Sequence, residues 1–308
     1  MKKDYAIFLP AGGLGSRLYP LTKDYPKAYL PIYFDKNNQI IRLIDLPLSF
    51  CRSNNIPLYI TLDYKKEKLK YLEKYENVKI IYTEYHELVP VILEGLKQLE
   101  KDNIEYYSTY ASDFLIPLDI VNEMINSINS ETETVALCTK MDEYSKIKIK
   151  NNNGILSYTT GEDVIDLTFH VGSVKRGVSG FEQLATRREV DLWECLYPKE
   201  NEEDLNKVMI LLTDITHIDL GTPNPYYEAL YKLNYKNIDS NNNIVFPGAR
   251  INEASRNIIA LPNSDSSAFI LENCIIPENI GVHSYEDVLK VEESNKKYFK
   301  KMKIKEFI

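Results

Sequence analysis

Cysteine is scarce. Only Cys51, Cys138, Cys195 and Cys274 occur in 308 residues, far apart, with no Cys-x-x-Cys and no histidine pair at zinc-ligand spacing. That excludes a disulfide framework and a thiolate zinc site, and buried, reduced thiols are expected instead. Long hydrophobic runs are missing as well. Nothing approaches the roughly 18 consecutive apolar residues that span a bilayer, and the first apolar run stops after Leu9, too short for the core of a secretory signal. A soluble, cytoplasmic protein without a membrane partner is expected. A basic excess is also absent, since 45 acidic residues face 37 basic ones for a net charge of −8. Sequence-independent binding to nucleic acid needs a basic footprint and is not expected here. A phosphorylated ligand held by a few local cations remains compatible with that balance.

What is present describes a globular chain. Hydrophobic residues at 44% and charged residues at 27% are enough for a sizeable core. The length suits one large α/β domain with an appendage, or two modest domains. Through the first 140 residues short apolar runs alternate with helical spacing. Strands are predicted at Ala6 to Leu9, Leu58 to Leu62, Val78 to Tyr82, Tyr106 to Ala111 and Thr134 to Thr139, and helices at Lys65 to Tyr75, Pro90 to Leu99 and Ile120 to Ile128. Such alternation implies a largely parallel sheet covered on both faces. A hairpin is predicted around Asn151-Asn152-Asn153-Gly154, then mostly helix from Phe181 to Leu212, a strand at Ile215 to Leu220 and a helix at Pro225 to Leu233.

Beyond the asparagine-rich stretch from Asn237 to Asn243 the pattern changes. Ile244 to Val282 carries short β-branched steps separated by Pro, Asn, Ser and Gly, which suggests a small all-β appendage or an extended tail. Ser284 to Met302 is strongly charged and reads as a helix with a solvated face.

Three places could carry chemistry. Ala11-Gly12-Gly13-Leu14-Gly15-Ser16-Arg17 follows the first strand, and glycines there let backbone N–H groups approach an anion with no Cβ in the way. Arg17 and Lys27 then flank Pro20 and Pro26, which stiffen the backbone between two cations suited to phosphate. Asp113 and Asp219 each follow a predicted strand, at the edge where open α/β sheets bind ligands, and could supply the oxygen ligands that Mg²⁺ prefers.

Together these steps resemble the sugar-1-phosphate nucleotidyltransferases, the NDP-sugar pyrophosphorylases. The glycine turn, Arg17-Leu18-Tyr19-Pro20-Leu21-Thr22 and Pro26-Lys27-Ala28-Tyr29-Leu30-Pro31 reproduce that family's signature, and Arg42 to Cys51 looks like a stretch of glucose-1-phosphate adenylyltransferases. The resemblance implies a Rossmann-like, doubly wound, mixed but mostly parallel sheet over residues 1–237. It further implies a short left-handed β-helix-like appendage over 238–308, at about 18 residues per coil. An apolar edge on such a stub would invite pairing into a homo-oligomer.

The implied reaction joins a nucleoside triphosphate to a hexose-1-phosphate, glucose-1-phosphate being the first choice, and releases pyrophosphate. Ala11, Gly12, Gly13, Gly15 and Ser16 would bind the nucleotide, Arg17 and Lys27 would stabilise the transferring phosphate, and Asp113 and Asp219 would hold Mg²⁺. A UTP-dependent N-acetylhexosamine-1-phosphate uridylyltransferase and a catalytically impaired regulatory homologue are the alternatives. The family's Glu-Lys-Pro lysine is missing, since Thr159-Thr160-Gly161-Glu162 stands near its place, and Lys175 or Arg176, with Gly172, is the candidate to touch the sugar phosphate instead. Glu87-Leu88-Val89-Pro90 replaces the Gly-Thr-Ala step that helps seat the base.

Overall fold

The computed structural model describes residues 4–63, 65–85, 88–109, 118–129, 134–140, 147–152, 155–158, 166–177, 208–212 and 223–299. In chain order the elements begin with β1 (Tyr5–Pro10), β2 (Pro31–Phe34), β3 (Ile40–Arg42), α1 (Asp45–Asn54), β4 (Leu58–Leu62), β5 (Val78–Tyr82) and α2 (Leu88–Lys101). There follow β6 (Tyr106–Thr109), α3 (Leu118–Ser127), β7 (Thr134–Lys140), β8 (Ile147–Asn152), β9 (Ile155–Tyr158), β10 (Asp166–Arg176) and β11 (Val208–Leu212). The last are α4 (Pro223–Leu233), β12 (Ile244–Val245), β13 (Arg250–Ile251), β14 (Arg256–Ala260), β15 (Asp265–Ser266), β16 (Glu272–Ile276) and α5 (Tyr285–Phe299). Two compact units result, one from Met1–Gly13 and Pro47–His217, the other from Leu14–Leu46 and Ile218–Ile308.

The first unit is a mixed, mostly parallel α/β sheet in the order β11-β7-β10-β6-β1-β4-β5, with the hairpin β8–β9 joined to β10. Its central strand β1 is buried from Tyr5 to Leu9, as a continuous apolar run covered on both faces should be. It pairs in parallel with β4 on one side and β6 on the other. On one face α2 comes so close that a Cβ at Gly95 would lie 2.1 Å from the Phe8 ring, so only glycine fits there.

Several elements differ from the sequence expectation, and three of them show why. Val208–Leu212, expected as helix, is a strand parallel to β7, because a five-residue apolar run has no period of its own and pairing with a neighbouring strand decides its state. Lys65 to Tyr75, expected as one exposed helix, consists of two short 3₁₀ turns, Lys66–Lys68 and Lys70–Lys74. Lys65 stands at a left-handed φ of 53°, and Leu69 and Leu72 are fully buried beneath the turns. Finally, β10 was not anticipated. It runs antiparallel to β6 and β7, and a register shift between His170 and Gly172 breaks the two-residue alternation by which a strand is recognised. The hairpin at 147–158 is present as expected, whereas the strand expected at 215–220 lies outside the described residues.

The second unit packs the Leu18–Leu43 segment and α4 against a coil of short parallel strands. One core joins Leu18, Leu21, Leu30 and Ile32 to Tyr226, Tyr227 and Leu230, and to Ile244, Phe246, Ile259 and Ile275 of the coil. Ile244, Ile259 and Ile275 stand in register fifteen and sixteen residues apart, as do Arg250, Asp265 and Gly281. The rungs are thus shorter than the 18 residues expected.

Asparagine explains how such short rungs turn. Asn242, Asn257 and Asn273 all adopt a left-handed φ, of 61°, 54° and 54°, a conformation asparagine tolerates better than most residues. Their side chains form a ladder, Asn242 Nδ2 donating to Asn257 Oδ1 at 2.9 Å and Asn257 Nδ2 to Asn273 Oδ1 at 2.8 Å. The charged helix α5 is not solvated all round: Val288 and Val291 enter a second core with Ile258, Cys274 and Ile276.

Candidate functional site

In the first unit the site begins where β1 ends. Because β1 has β4 on one side and β6 on the other, the sheet changes winding direction there, and in open α/β sheets ligands bind outside the carboxyl ends at such a point. Ala11 continues the ladder, its N–H donating to Thr61 O at 3.0 Å. Gly12 is buried against α2, where an added Cβ would meet Val91 at 3.2 Å and the Asp63 Cβ at 3.5 Å. Gly13 is exposed and has nothing within 4 Å of such a Cβ, which leaves its backbone open to a ligand. Sequence reasoning missed Asp63, a carboxylate next to the turn. Its signal was its place, one residue past the strand predicted at Leu58 to Leu62.

Buried hydroxyls mark the same edge. Thr61 on β4 and Thr109 on β6 flank β1, and neither Oγ1 has a hydrogen-bond partner among the described residues. Orphan polar atoms of this kind call for a local explanation, such as an ordered water or a bound group.

In the second unit, Gly15 has a left-handed φ of 64° and an added Cβ would lie 2.8 Å from Thr22 Cγ2. Thr22 Oγ1 in turn donates to Gly15 O at 2.9 Å. The threonine that ends the Arg-Leu-x-Pro-Leu-Thr step therefore closes the loop that the glycine opens. Between them Ser16–Leu18 makes one 3₁₀ turn, with Ser16 and Arg17 exposed and Leu18 fully buried as its anchor. Pro26 caps a second 3₁₀ turn, Lys27–Tyr29, anchored by buried Ala28. Each cation is thus carried on a short turn that buries one apolar residue, Leu18 or Ala28.

Of the remaining sequence candidates, Asp113 and Asp219 lie outside the described residues. Among the described residues no group of three or more His, Cys, Asp and Glu side chains is gathered to hold a metal. Gly172 pairs with Leu137 beside the register shift of β10. Lys175 is buried, opposite Tyr107 and Thr134. Tyr107 in turn pairs with Ala6, so Lys175 stands four residues short of the β1 end, about 13 Å along a strand. That depth does not suit a solvent-facing contact with a sugar phosphate. Cys51, Cys138 and Cys274 are buried thiols outside any disulfide, and burial pushes the Cys51 thiol up to about 12, which makes it unreactive.

Taken together, these features place an open glycine turn at the switch point of a mixed, mostly parallel α/β sheet, the edge where such sheets bind ligands. The sequence model of the family described as nucleotidyl transferase matches residues 6–148 of this chain. A search of curated proteins finds no match. Among solved structures, UDP-glucose pyrophosphorylase in complex with UDP-glucose is 16% identical, with a TM-score of 0.57 over 75% of this chain and 99% of that one. A structure described as mannose-1-phosphate geranyltransferase from Thermus thermophilus is 13% identical, with a TM-score of 0.61 over 96% of this chain and 99% of that one. At these identities the likeness is one of fold. No helix among the described residues is long and apolar enough to cross a membrane.

Proposed function

We propose that this nucleotidyltransferase makes a nucleoside diphosphate sugar and pyrophosphate from a nucleoside triphosphate and a hexose-1-phosphate, with glucose-1-phosphate the first candidate. The observation that carries the reading is the signature from Ala11 to Ile32, whose glycine turn leaves β1 at the switch point while its two cations stand on anchored turns. Two anions must meet in such a reaction, so the need is for charge neutralisation and orientation rather than a covalent nucleophile. Backbone N–H groups of Ala11, Gly12, Gly13, Gly15 and Ser16 would seat the phosphates. Arg17 and Lys27 would neutralise them and the charge that develops as pyrophosphate leaves. Asp113 and Asp219 offer hard oxygen ligands and would hold Mg²⁺, which supplies charge neutralisation at the phosphates.

We take residues 1–237 as the catalytic domain and 238–308 as its appendage, with the short parallel rungs read as a truncated left-handed coil. Buried thiols outside any disulfide suit a reducing compartment, here the cytoplasm. Release of pyrophosphate, measured over four nucleoside triphosphates and a panel of sugar phosphates with Mg²⁺, tests the reading; no turnover with any pair refutes it. Asp113→Asn is expected to abolish turnover in a folded protein. One observation favours the second reading, a catalytically impaired homologue: Lys175, one of the two candidates to replace the missing Glu-Lys-Pro lysine, is buried in the sheet. The same assay separates the two.

A further inference from the structure

We propose that the C-terminal coil sets the position of Lys27, with Glu278 and Arg42 as the positioning residues; the proposal rests on the assignment of Lys27 to the phosphates. Arg42 Nη1 and Nη2 each donate to one oxygen of Glu278 at 2.9 Å, a two-pronged pair whose side chains are only 12% and 8% exposed. The same guanidinium lies 3.8 Å over the Tyr29 ring and donates from Nη1 to Tyr29 O at 2.8 Å. Tyr29 stacks on Tyr25, with ring centroids 5.3 Å apart at 12°, and Tyr25 Oη meets Asn279 Nδ2. Lys27 therefore sits in the sequence between two stacked tyrosines, each tied to one of two consecutive residues of the coil.

The backbone of the turn is held by the two residues that follow Arg42. Ile44 N–H donates to Ala28 O at 2.9 Å and Leu43 N–H to Leu30 O at 3.0 Å. The coil end is itself fixed, since Asn279 N–H donates to Pro262 O and Val282 N–H to Asp265 O. A lysine is a point charge on a flexible four-carbon stem, and a displacement of about 1 Å at a phosphate-binding group can lower a rate by roughly a hundredfold. A rigid base for that stem is what this arrangement supplies. Arginine is the residue for the task, because it alone both stacks on a ring and grips a carboxylate with two parallel N–H groups.

The test is a kinetic cycle with the nucleotide and sugar phosphate that wild-type enzyme uses. Glu278→Gln keeps the side-chain size and one acceptor while removing the charge, and it is expected to lower kcat/KM for the nucleoside triphosphate about tenfold with the fold retained by circular dichroism. In a Lys27→Ala background the same change is expected to have no further effect, because its only route to the substrate is gone. Arg250→Ala, which removes an exposed pair with Asp265 elsewhere in the coil, is expected to leave kcat/KM unchanged. Unchanged kinetics for Glu278→Gln in an active enzyme would overturn the proposal, and so would equal losses in both backgrounds, which mark general loosening. If Glu278→Gln does not fold, Arg42→Lys, which keeps the charge and loses the two-pronged grip, enters the same cycle with the same expected outcomes. Absence of turnover in the wild type removes the functional reading and the proposal with it.

Discussion

Asn295 of α5 holds both backbone groups of Ile275: its Oδ1 accepts the Ile275 N–H at 2.8 Å and its Nδ2 donates to Ile275 O at 2.9 Å. β16 is the last strand of its sheet, so one side chain stands in for the strand that would come next. Nδ2 also donates to Val291 O, one helical turn back. Asn234, just past α4, repeats the device on β2, taking the Phe34 N–H at 3.3 Å and donating to Ile32 O at 2.9 Å and to Leu230 O. Asn295→Ala would leave two buried backbone groups unpaired, at about 1–3 kcal/mol for such a group. We expect a loss of about 2–3 kcal/mol in urea unfolding and faster amide exchange at Ile275. The hydrogen bonds that edge-to-edge pairing would use at Ile275 are taken in the wild type, so the variant should also self-associate more readily in light scattering.

A second prediction concerns acid. Asp102 accepts from Tyr59 Oη at 2.8 Å, Lys79 Nζ at 2.6 Å and Gln98 Nε2 at 3.0 Å. Burial alone would push its carboxyl pKa up, but these donors outweigh burial and hold it below the ordinary value. A depressed folded-state pKa stabilises above the unfolded value of about 4 and loses that effect as the pH falls through the folded value. The midpoint of urea unfolding should therefore be higher for wild type than for Asp102→Asn at pH 6. The gap should close as the pH drops below about 4. A gap independent of pH would show that the side-chain contacts, and not the charge, do the holding.

The outline of the first unit was legible where local pattern and burial agree. Leu58 to Leu62 and Val78 to Tyr82 are short runs of β-branched and other apolar residues broken only by Thr61 and Lys79, and they are β4 and β5. Val208–Leu212 has the same character but lay within a charged, leucine-bearing stretch, and its partner β7 is some seventy residues away in sequence. The glycine turn and its two cations could be found from sequence because the chemistry is contiguous. The reason Thr22 belongs to the turn could not, since it is a hydrogen bond to Gly15 seven residues earlier. Least accessible were Arg42 and Glu278, 236 residues apart. Lys175 is hidden in a similar way. Its burial comes from pairing with Tyr107 on a distant strand, which no local pattern announces.

That burial yields a third prediction. If Lys175 met a sugar phosphate, Lys175→Met would raise KM for the sugar phosphate strongly and leave the fold intact. From its place opposite Tyr107 and Thr134 we expect the reverse: KM and kcat within about twofold of wild type in whatever fraction folds, with any change appearing in thermal stability. Steady-state kinetics beside a melting curve distinguish the two outcomes.

The glycine turn offers the sharpest comparison, because two of its glycines are glycine for different reasons. Gly15 needs its left-handed φ of 64° and has Thr22 Cγ2 at 2.8 Å from any Cβ. Gly15→Ala should therefore destabilise the protein by at least about 1 kcal/mol whether or not ligand is present. Gly13 has no such constraint: its φ lies outside the left-handed region and a Cβ there meets nothing within 4 Å. Gly13→Ala should thus leave the melting temperature unchanged. Any loss of nucleotide affinity must then come from a ligand that needs the space, and we expect KM for the triphosphate to rise about tenfold. Parallel melting curves and nucleotide titrations on the two variants check this. A Gly13→Ala enzyme with wild-type affinity would mean that the phosphates do not approach the turn at that residue.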